Sequence, residues 1–206
     1  LVTGPINKMR WIYSCSKQMM DRLIFAYGQE EGLRFTLFRP FNWVGPRLDT
    51  FRDAEENKAR SVTQMIYNVL HRGKISLVNG GRQRRSFTWV GDGIEGLVSI
   101  IENKDNKADG QIFNIGNPGN NHSIRELAEM LIEEMKNFPA YRERAENTVL
   151  EEISADDYYG KTYDDMQNRL PSVKKMEKLL GWKPRTGMRE LLSKTVAWYA
   201  AKEKMD

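Results

Sequence analysis

The chain has 206 residues, 40% of them hydrophobic, which is enough for one large domain or for one domain with a small lobe. Its 32 Lys and Arg residues and 28 Asp and Glu residues make a mixed surface, which argues against a nucleic-acid-binding protein. With one cysteine, two histidines and no long apolar run, the sequence argues against an internal disulfide, a metal site and a membrane span, and favours a cytoplasmic protein.

The N-terminus reads as a turn, Leu1-Val2-Thr3-Gly4-Pro5, and does not begin with Met. We therefore expect this chain to be the C-terminal portion of a longer protein.

The first predicted element is a helix over residues 10–30, where apolar residues recur at three- and four-residue steps from Ile12 to Tyr27. The segment Leu33–Arg39 alternates aromatic and aliphatic with polar residues and is ended by Pro40, which predicts a strand. A helix that leads into a strand is typical of a βα-repeat sheet.

Later segments continue this alternation. Ser123 with Glu126 forms a capping-box pattern that starts a helix ending at Met135, whereas the Tyr- and Asp-rich run 156–168 is predicted to be a loop. The other predicted helices are Ser61–Leu70, Ile94–Ile101, Ser172–Leu180 ended by Gly181, and Met188–Ala201; the predicted strands are Ile75–Asn79, Phe87–Val90, Gln111–Ile115 and Val149–Ile153.

Tyr13 and Lys17 stand four residues apart on the first predicted helix, so their side chains share one face. An ammonium group close to a phenol favours the phenolate. The pair is therefore a candidate general base, although the same spacing is common on half-exposed structural helices.

Five stretches in this order resemble the extended short-chain dehydrogenases/reductases of the NAD-dependent epimerase/dehydratase family, which modify nucleotide sugars. They are Arg10–Gln18, Phe38–Arg47, Gly80–Thr88, Phe113–Asn117 and Gly181–Pro184. Within the family, the UDP-glucuronic acid decarboxylases are the most similar branch, on the stretches Gly4–Lys8, Arg10–Lys17, Tyr158–Lys161 and Asn168–Ser172.

The resemblance implies an α/β fold, namely the C-terminal half of a doubly wound Rossmann-like parallel sheet with a small mixed α/β substrate-binding lobe. The Rossmann part would comprise about 1–40 and 86–104, and the lobe about 41–85 and 105–206. It also implies a homo-oligomer that binds NAD and UDP-glucuronic acid.

The resemblance further implies roles for individual residues. Tyr13 matches the catalytic base, Lys17 its partner and a nicotinamide ribose ligand, Pro40 a cofactor contact, and Arg169 the proton donor in decarboxylation. Because a guanidinium group is effectively always protonated, we expect Arg169 to act as an electrostatic clamp. The positions that match substrate-binding residues are Arg10, Asn42, Ser76, Leu77, Asn79, Arg85 and Tyr163.

Arginine suits a UDP-sugar acid because it binds phosphate and carboxylate groups in bidentate fashion. Arg85 is the first candidate for the diphosphate. Alternate residues of a strand point to opposite faces, so Arg82 and Arg84 are expected at the rim.

The family's Gly-x-x-Gly-x-x-Gly turn, which holds the NAD diphosphate, is missing from the 206 residues. Gly116-Asn117-Pro118-Gly119 follows a predicted strand but has the wrong spacing. We therefore expect this chain to carry the Tyr/Lys pair and substrate residues without the main NAD-binding loop.

Two alternatives remain open on the sequence. One is a UDP-xylose synthase or another nucleotide-sugar epimerase or dehydratase of the same family. The other is a truncated, non-catalytic paralogue that binds a UDP-sugar or a partner subunit.

Overall fold

A computed structural model describes residues 6–7, 11–160 and 166–202. The helices are α1 (Trp11–Glu30), α2 (Phe51–Glu55), α3 (Ser61–His71), α4 (Val90–Glu102), α5 (Ile124–Lys136), α6 (Arg142–Glu146), α7 (Ala155–Tyr159), α8 (Lys174–Leu180) and α9 (Met188–Lys202). The strands are β1 (Thr36–Pro40), β2 (Trp43–Val44), β3 (Lys74–Val78), β4 (Arg84–Ser86), β5 (Thr88–Trp89), β6 (Gln111–Ile115), β7 (Asn121–Ser123), β8 (Val149–Ile153) and β9 (Asn168–Arg169).

The strands pair mainly in parallel. β1 pairs with β6, β2 with β5, and β3 with β8, all in parallel. β4 lies between β7, which is antiparallel to it, and β9, which is parallel. Parallel pairs joined by helices are the arrangement expected of a Rossmann-like α/β protein, so the predicted fold class is confirmed.

The larger hydrophobic core lies where α3, α5 and α9 pack around β3. Each of these helices carries an apolar face, and burial of that face is what fixes it to the strand. Side chains with no exposed surface in this core include Ile66, Leu77, Leu127, Leu131, Leu191 and Val196.

A second core packs α4 and α8 against β6 through Phe113, Ile115 and Met176. Trp182 joins it, and its indole Nε1 donates to the Asp92 carbonyl at 3.0 Å. Gly96 permits this close approach, because a Cβ there would lie 3.1 Å from the Trp182 ring.

Both predicted helix-end signals are confirmed. The Ser123 hydroxyl accepts from the Glu126 amide while the Glu126 carboxylate accepts from the Ser123 amide, which completes the capping box of α5. Gly181 ends α8 with φ 69, the left-handed conformation that glycine adopts without a steric penalty.

The predicted strand Phe87–Val90 was wrong in extent, because the chain changes partners at Phe87. Arg84–Ser86 pairs with β7 and β9, Thr88–Trp89 pairs with β2, and Val90 already begins α4. The buried Phe87 lies between the two pairings, and its amide donates to the Asn120 carbonyl instead.

The predicted loop 156–168 is also partly ordered into regular elements. Ser154 caps the short helix α7 by accepting from the Asp157 amide, and Asn168 belongs to β9. Two further helices, α2 and α6, and the strand β7 were not predicted, since each is five residues or shorter.

Candidate functional site

Two arginines lie side by side at the centre of the candidate site. Arg85 of β4 and Arg169 of β9 are paired in register, so their side chains leave the same face of the sheet. An Arg85 Nη1 donates to the Met166 carbonyl at 2.8 Å, and the Arg84 amide donates to the Gln167 carbonyl at 2.7 Å. These bonds hold the segment that carries Arg169 against β4.

Arg169 also lies over an aromatic ring. Its guanidinium carbon is 4.9 Å from the centroid of the Phe41 ring, an arrangement that stabilises the cation. Phe41 is buried and follows β1 directly, and its amide donates to the Ile115 carbonyl at 3.0 Å. Arg169 is thereby placed at the carboxyl end of the β1–β6 pair, where α/β sheets bind their ligands.

Asn42 connects this strand end to β4 and β5. Its side-chain amide donates to the Ser86 carbonyl at 2.9 Å, and its own carbonyl accepts from the Thr88 amide at 3.1 Å. The Ser86 hydroxyl in turn donates to the Arg169 carbonyl at 3.4 Å. The structure therefore brings three sequence-predicted residues, Asn42, Arg85 and Arg169, into one cluster.

Phe41 and Ser86 are the residues of this cluster to which the sequence assigned no role. Phe41 lies inside the quoted stretch Phe38–Arg47, and Ser86 lies inside Gly80–Thr88. Their contacts join segments more than 40 positions apart along the chain. In the sequence, only the position of Phe41 next to Asn42, and of Ser86 next to Arg85, could have pointed to these two residues.

Tyr13 and Lys17 lie on α1 as the four-residue spacing predicts. Lys17 Nζ is 5.5 Å from the centroid of the Tyr13 ring, and the Tyr13 side chain is 70% exposed. Lys17 therefore lies over the Tyr13 ring, and the exposed phenol is accessible to a ligand.

α1 is attached to β1 and the loop before it by a few contacts. Arg39 donates to Asp21 at 2.9 Å, and the rings of Phe25 and Phe35 meet edge to face with centroids 4.9 Å apart. Pro40, predicted to contact the cofactor, is the exposed last residue of β1. α1, which carries Tyr13, therefore packs against β1, and β1 ends beside the cluster of Asn42, Arg85 and Arg169.

The positions predicted on β3 have other partners. The Ser76 hydroxyl donates to Glu151 at 2.7 Å, and Leu77 is fully buried in the larger core. Asn79 accepts from the Ala155 amide at the start of α7 at 3.1 Å. The side chains of Ser76 and Asn79 are thus used to join β3 to β8 and α7.

The side-chain carboxylates of Glu126 and Glu151 have pKa values below the usual value for glutamate. The amide of Ser123 is the main cause for Glu126, with Arg84 as the second, and both favour its ionised form. Hydrogen bonds from Ser76 and then Lys74 lower the pKa of Glu151. Arg84 is paired with Glu126, and Arg82 is paired with Glu152.

Arg10 and Tyr163, two of the predicted substrate-binding residues, lie outside the described residues. In the described part of the chain, no group of three or more His, Cys, Asp or Glu side chains is arranged to hold a metal ion. Within the same part, no helix is both long and apolar enough to cross a membrane.

The fit to NAD is partial. Tyr13, Lys17 and Pro40, the positions predicted to contact NAD, are exposed, but the loop after β6 is not a phosphate cradle. A Cβ at Gly116 would lie 2.7 Å from Pro171, and Asn117 Oδ1 accepts the Gly119 amide at 2.9 Å. Protein atoms therefore occupy the space at Gly116, and the Gly119 amide already donates a hydrogen bond within the loop.

Comparisons with known proteins show the family and the fold of the chain. The model of the NAD dependent epimerase/dehydratase family matches residues 1–116. The crystal structure of the PbgP3 protein from Burkholderia pseudomallei is similar with a TM-score of 0.83 and 44% identity, covering 98% of this chain and 56% of that chain.

More distant solved structures share the fold. UDP-glucose 4-epimerase from Thermotoga maritima with UDP-glucose has a TM-score of 0.74 at 22% identity, over 94% of this chain and 54% of that one. UDP-glucuronic acid 4-epimerase from Bacillus cereus, in complex with UDP-glucuronic acid and NAD, has a TM-score of 0.73 at 19% identity, over 93% and 52%. The chain spans about half the length of each of these proteins.

Proposed function

The chain belongs to the NAD dependent epimerase/dehydratase family, and we propose that it supplies the UDP-sugar site and the Tyr13/Lys17 pair of an enzyme that oxidatively decarboxylates UDP-glucuronic acid to a UDP-4-keto-pentose. The observation that carries the proposal is the in-register pairing of Arg85 with Arg169 at the carboxyl end of β1. Two adjacent guanidinium groups suit a ligand that brings both a diphosphate and a carboxylate.

The choice of decarboxylase rests on sequence. The stretches Gly4–Lys8, Arg10–Lys17, Tyr158–Lys161 and Asn168–Ser172 resemble the decarboxylase domain of the bifunctional polymyxin resistance protein ArnA. The product would then enter the 4-amino-4-deoxy-L-arabinose modification of lipid A, in the cytoplasm. As in that family, we propose a Rossmann part and a substrate lobe, with β6 in the sheet of the Rossmann part because it pairs with β1.

In the first step, the Tyr13 phenolate accepts the proton of the sugar 4-hydroxyl. NAD, when bound, supplies the hydride acceptor for C4. Lys17 lies over the same ring and brings a positive charge close to the site of proton transfer. The substrate becomes a 4-keto acid in which the carboxylate is β to the ketone.

In the second step, carbon dioxide leaves and its bonding electrons form an enolate between C4 and C5. Arg169 remains cationic throughout, because a guanidinium group is effectively always protonated in a protein. Held over Phe41, it stabilises the negative charge that develops on the substrate. C5 then takes a proton, which a water polarised by Arg169 can deliver.

Arg85 has a separate task in the proposal. Its Nη1 donates to the Met166 and Arg84 carbonyls, and we assign the guanidinium group held in this way to the diphosphate. Diphosphate binding positions the sugar so that C4 faces Tyr13, and this positioning is a large share of the rate enhancement in such enzymes.

The test is a product analysis. The complete protein in which we expect this chain to lie is incubated with UDP-glucuronic acid and NAD, and carbon dioxide, NADH and the sugar nucleotide are followed. A UDP-4-keto-pentose with one equivalent of carbon dioxide supports the proposal. UDP-xylose would indicate a UDP-xylose synthase, a retained carboxylate an epimerase or dehydratase, and binding without turnover a non-catalytic paralogue.

A further inference from the structure

A buried hydroxyl joins the ends of two strands beside the candidate site. Thr88 of β5 has no exposed surface. Its Oγ1 donates to the Phe41 carbonyl at 2.8 Å and accepts from the Asn117 amide at 3.1 Å. Phe41 directly follows β1, and Asn117 lies two positions beyond the end of β6. One hydroxyl group therefore ties together the carboxyl ends of β1 and β6.

The backbone of Thr88 holds the same segment a second time. Its amide donates to the Asn42 carbonyl at 3.1 Å, and Thr88 is paired in register with Trp43 of β2. Three consecutive residues of the chain, 41–43, are thus bonded to Thr88 or paired with it. This segment includes Asn42 and the Phe41 ring over which Arg169 lies. Thr88 therefore supports the site from below without reaching the surface.

The acceptor side of the hydroxyl is anchored by further buried groups. Asn117 Nδ2 donates to the Thr186 carbonyl at 2.9 Å, and the Thr186 amide and hydroxyl donate to the Asp92 carboxylate at 2.9 and 3.0 Å. All three residues are buried. Because the Asn117 amide can only donate, the Thr88 hydroxyl has its own hydrogen left for the Phe41 carbonyl.

Phe41 is also closely packed against the segment that carries Arg169. A Cβ at Gly116 would lie 2.9 Å from the Cβ of Phe41 and 2.7 Å from Pro171, so these three residues meet in close contact. Pro171 stands two positions after Arg169. A displacement of Phe41 would therefore disturb both the ring beneath the guanidinium group and the packing next to it.

From this geometry we infer that Thr88 is a positioning residue for the decarboxylation step. Its hydroxyl fixes the Phe41 backbone, and the Phe41 ring in turn holds the Arg169 guanidinium group where negative charge develops on the substrate. The inference deepens the proposed function and rests on it for the identity of the step. A misplacement of about 1 Å in a site can cost about 10²-fold in rate, even when the change is made away from the reacting atoms.

Two substitutions at Thr88 and one elsewhere isolate the hydroxyl. Thr88→Val removes the hydroxyl and keeps the branched shape, whereas Thr88→Ser keeps the hydroxyl and removes a methyl group. Thr195→Val is the matched control, because Thr195 is also fully buried and its hydroxyl donates to the Leu191 carbonyl at 2.7 Å within α9. Both Val variants lose one buried hydroxyl, but only Thr88→Val loses it at Phe41.

The first measurement is made by NMR on the 206-residue chain and needs neither substrate nor NAD. Nuclear Overhauser contacts between the Phe41 ring protons and the Arg169 side chain are recorded. We expect them in the wild type, in Thr88→Ser and in Thr195→Val, and we expect their loss in Thr88→Val. Contacts of wild-type intensity in a folded Thr88→Val chain would overturn the inference.

The second measurement follows both reaction steps in the complete protein. In Thr88→Val, release of carbon dioxide from UDP-glucuronic acid should fall about 10²-fold. Reduction of a UDP-4-keto-pentose by NADH should stay close to the wild-type rate, and Thr88→Ser and Thr195→Val should keep both activities. An equal loss of both activities would make Thr88 a general structural residue and contradict the inference.

Two further outcomes are separable. If the complete wild-type protein releases no carbon dioxide, the proposed function is wrong, and the NMR contacts alone decide whether Thr88 positions Arg169. If Thr88→Val does not fold, Thr88→Ala takes its place, since it differs from Thr88→Ser by one hydroxyl group. If neither hydroxyl-free variant folds while Thr88→Ser does, Thr88 is a folding residue and the inference is wrong.

Discussion

The candidate site residues owe their positions either to a partner distant in sequence or to local helical spacing. Arg169 meets Arg85 through the β4–β9 pairing and meets Phe41 at the end of β1. Tyr13 and Lys17, in contrast, meet through helical spacing alone. A change at either place should therefore affect a different step of the reaction.

Replacing Tyr13 with Phe in the complete protein should remove the proton acceptor and leave substrate binding nearly intact. Formation of NADH from UDP-glucuronic acid should fall about 10²- to 10⁴-fold, the usual contribution of a general base. Tyr27→Phe is the matched control, since Tyr27 is another exposed tyrosine on α1. Near-normal turnover of the Tyr13 variant would assign that tyrosine a structural role only.

Replacing Arg169 with Met should block decarboxylation and spare the redox step. Release of carbon dioxide from UDP-glucuronic acid should be abolished, while reduction of a UDP-4-keto-pentose by NADH should proceed at close to the wild-type rate. Arg142→Met serves as the control, because Arg142 donates to the Lys136 carbonyl and lies on α6. If the reverse reduction is lost too, Arg169 is a general binding or folding residue.

The sequence alone could place a candidate residue beside its partner only where the two residues are close along the chain. The four-residue spacing of Tyr13 and Lys17 is a property of any helix. The contact between Arg169 and Phe41 joins residues 128 positions apart and depends on a strand of two residues. Such a short strand has no periodic pattern, so its register could not be read before the fold was known.

Elements were predictable where a long pattern or a cap defines them. α1, α3, α5 and α9 have clear apolar spacing or end signals, and each was predicted within a few residues of its bounds. The two strands on either side of Phe87 were not, because β4 (Arg84–Ser86) is polar and β5 has only two residues, so neither has a periodic apolar pattern. Tertiary pairing decides such a case over local preference.

The capping box of α5 gives a pH-dependent contribution to stability. The pKa of Glu126 is lowered in the folded chain, mainly by the Ser123 amide, so the unfolded chain takes up its proton first as pH falls. The stabilisation is therefore complete above the ordinary pKa of 4.5 and is lost as pH falls through the lowered value. Glu126→Ala should destabilise the chain at pH 7 by a few tenths to about 1 kcal/mol, since the carboxylate is half exposed.

Urea unfolding at pH 7 and at pH 3 measures this difference. The gap between wild type and Glu126→Ala should shrink at pH 3. Glu129→Ala is the control, since Glu129 is also an exposed carboxylate of α5 and its nearest cation, Arg125, is 4.0 Å away. An unchanged gap at pH 3 would mean that the packing of Glu126, and not its charge, stabilises the helix start.

At the scale of the whole molecule, alternating helix and strand signals were sufficient to predict an α/β protein with parallel pairing. They did not place β6 beside β1, since strand order depends on which helices pack on which face. The two hydrophobic cores, one around β3 and one around β6, were also not separable in the sequence.

The 206-residue chain should bind UDP-glucuronic acid but not NAD to an appreciable extent. The arginine cluster is formed within the chain, whereas the loop after β6 is filled by Pro171 and its own hydrogen bond. Calorimetric titration of the purified chain with each ligand measures this. Micromolar affinity for NAD would show that the cofactor site lies elsewhere in these residues than we propose.

Because few contacts attach α1 to the rest of the chain, we expect α1 to be locally less stable than the core helix α3. α1 buries no residue, while α3 buries six. Opening a helix that exposes little new apolar surface costs little free energy. Backbone amides of α1 should therefore exchange with deuterium well before those of α3 in this chain, so the helix that carries Tyr13 and Lys17 is less protected than this core helix. A ligand that touches Tyr13 or Lys17 would slow that exchange, which makes it a direct measure of occupancy.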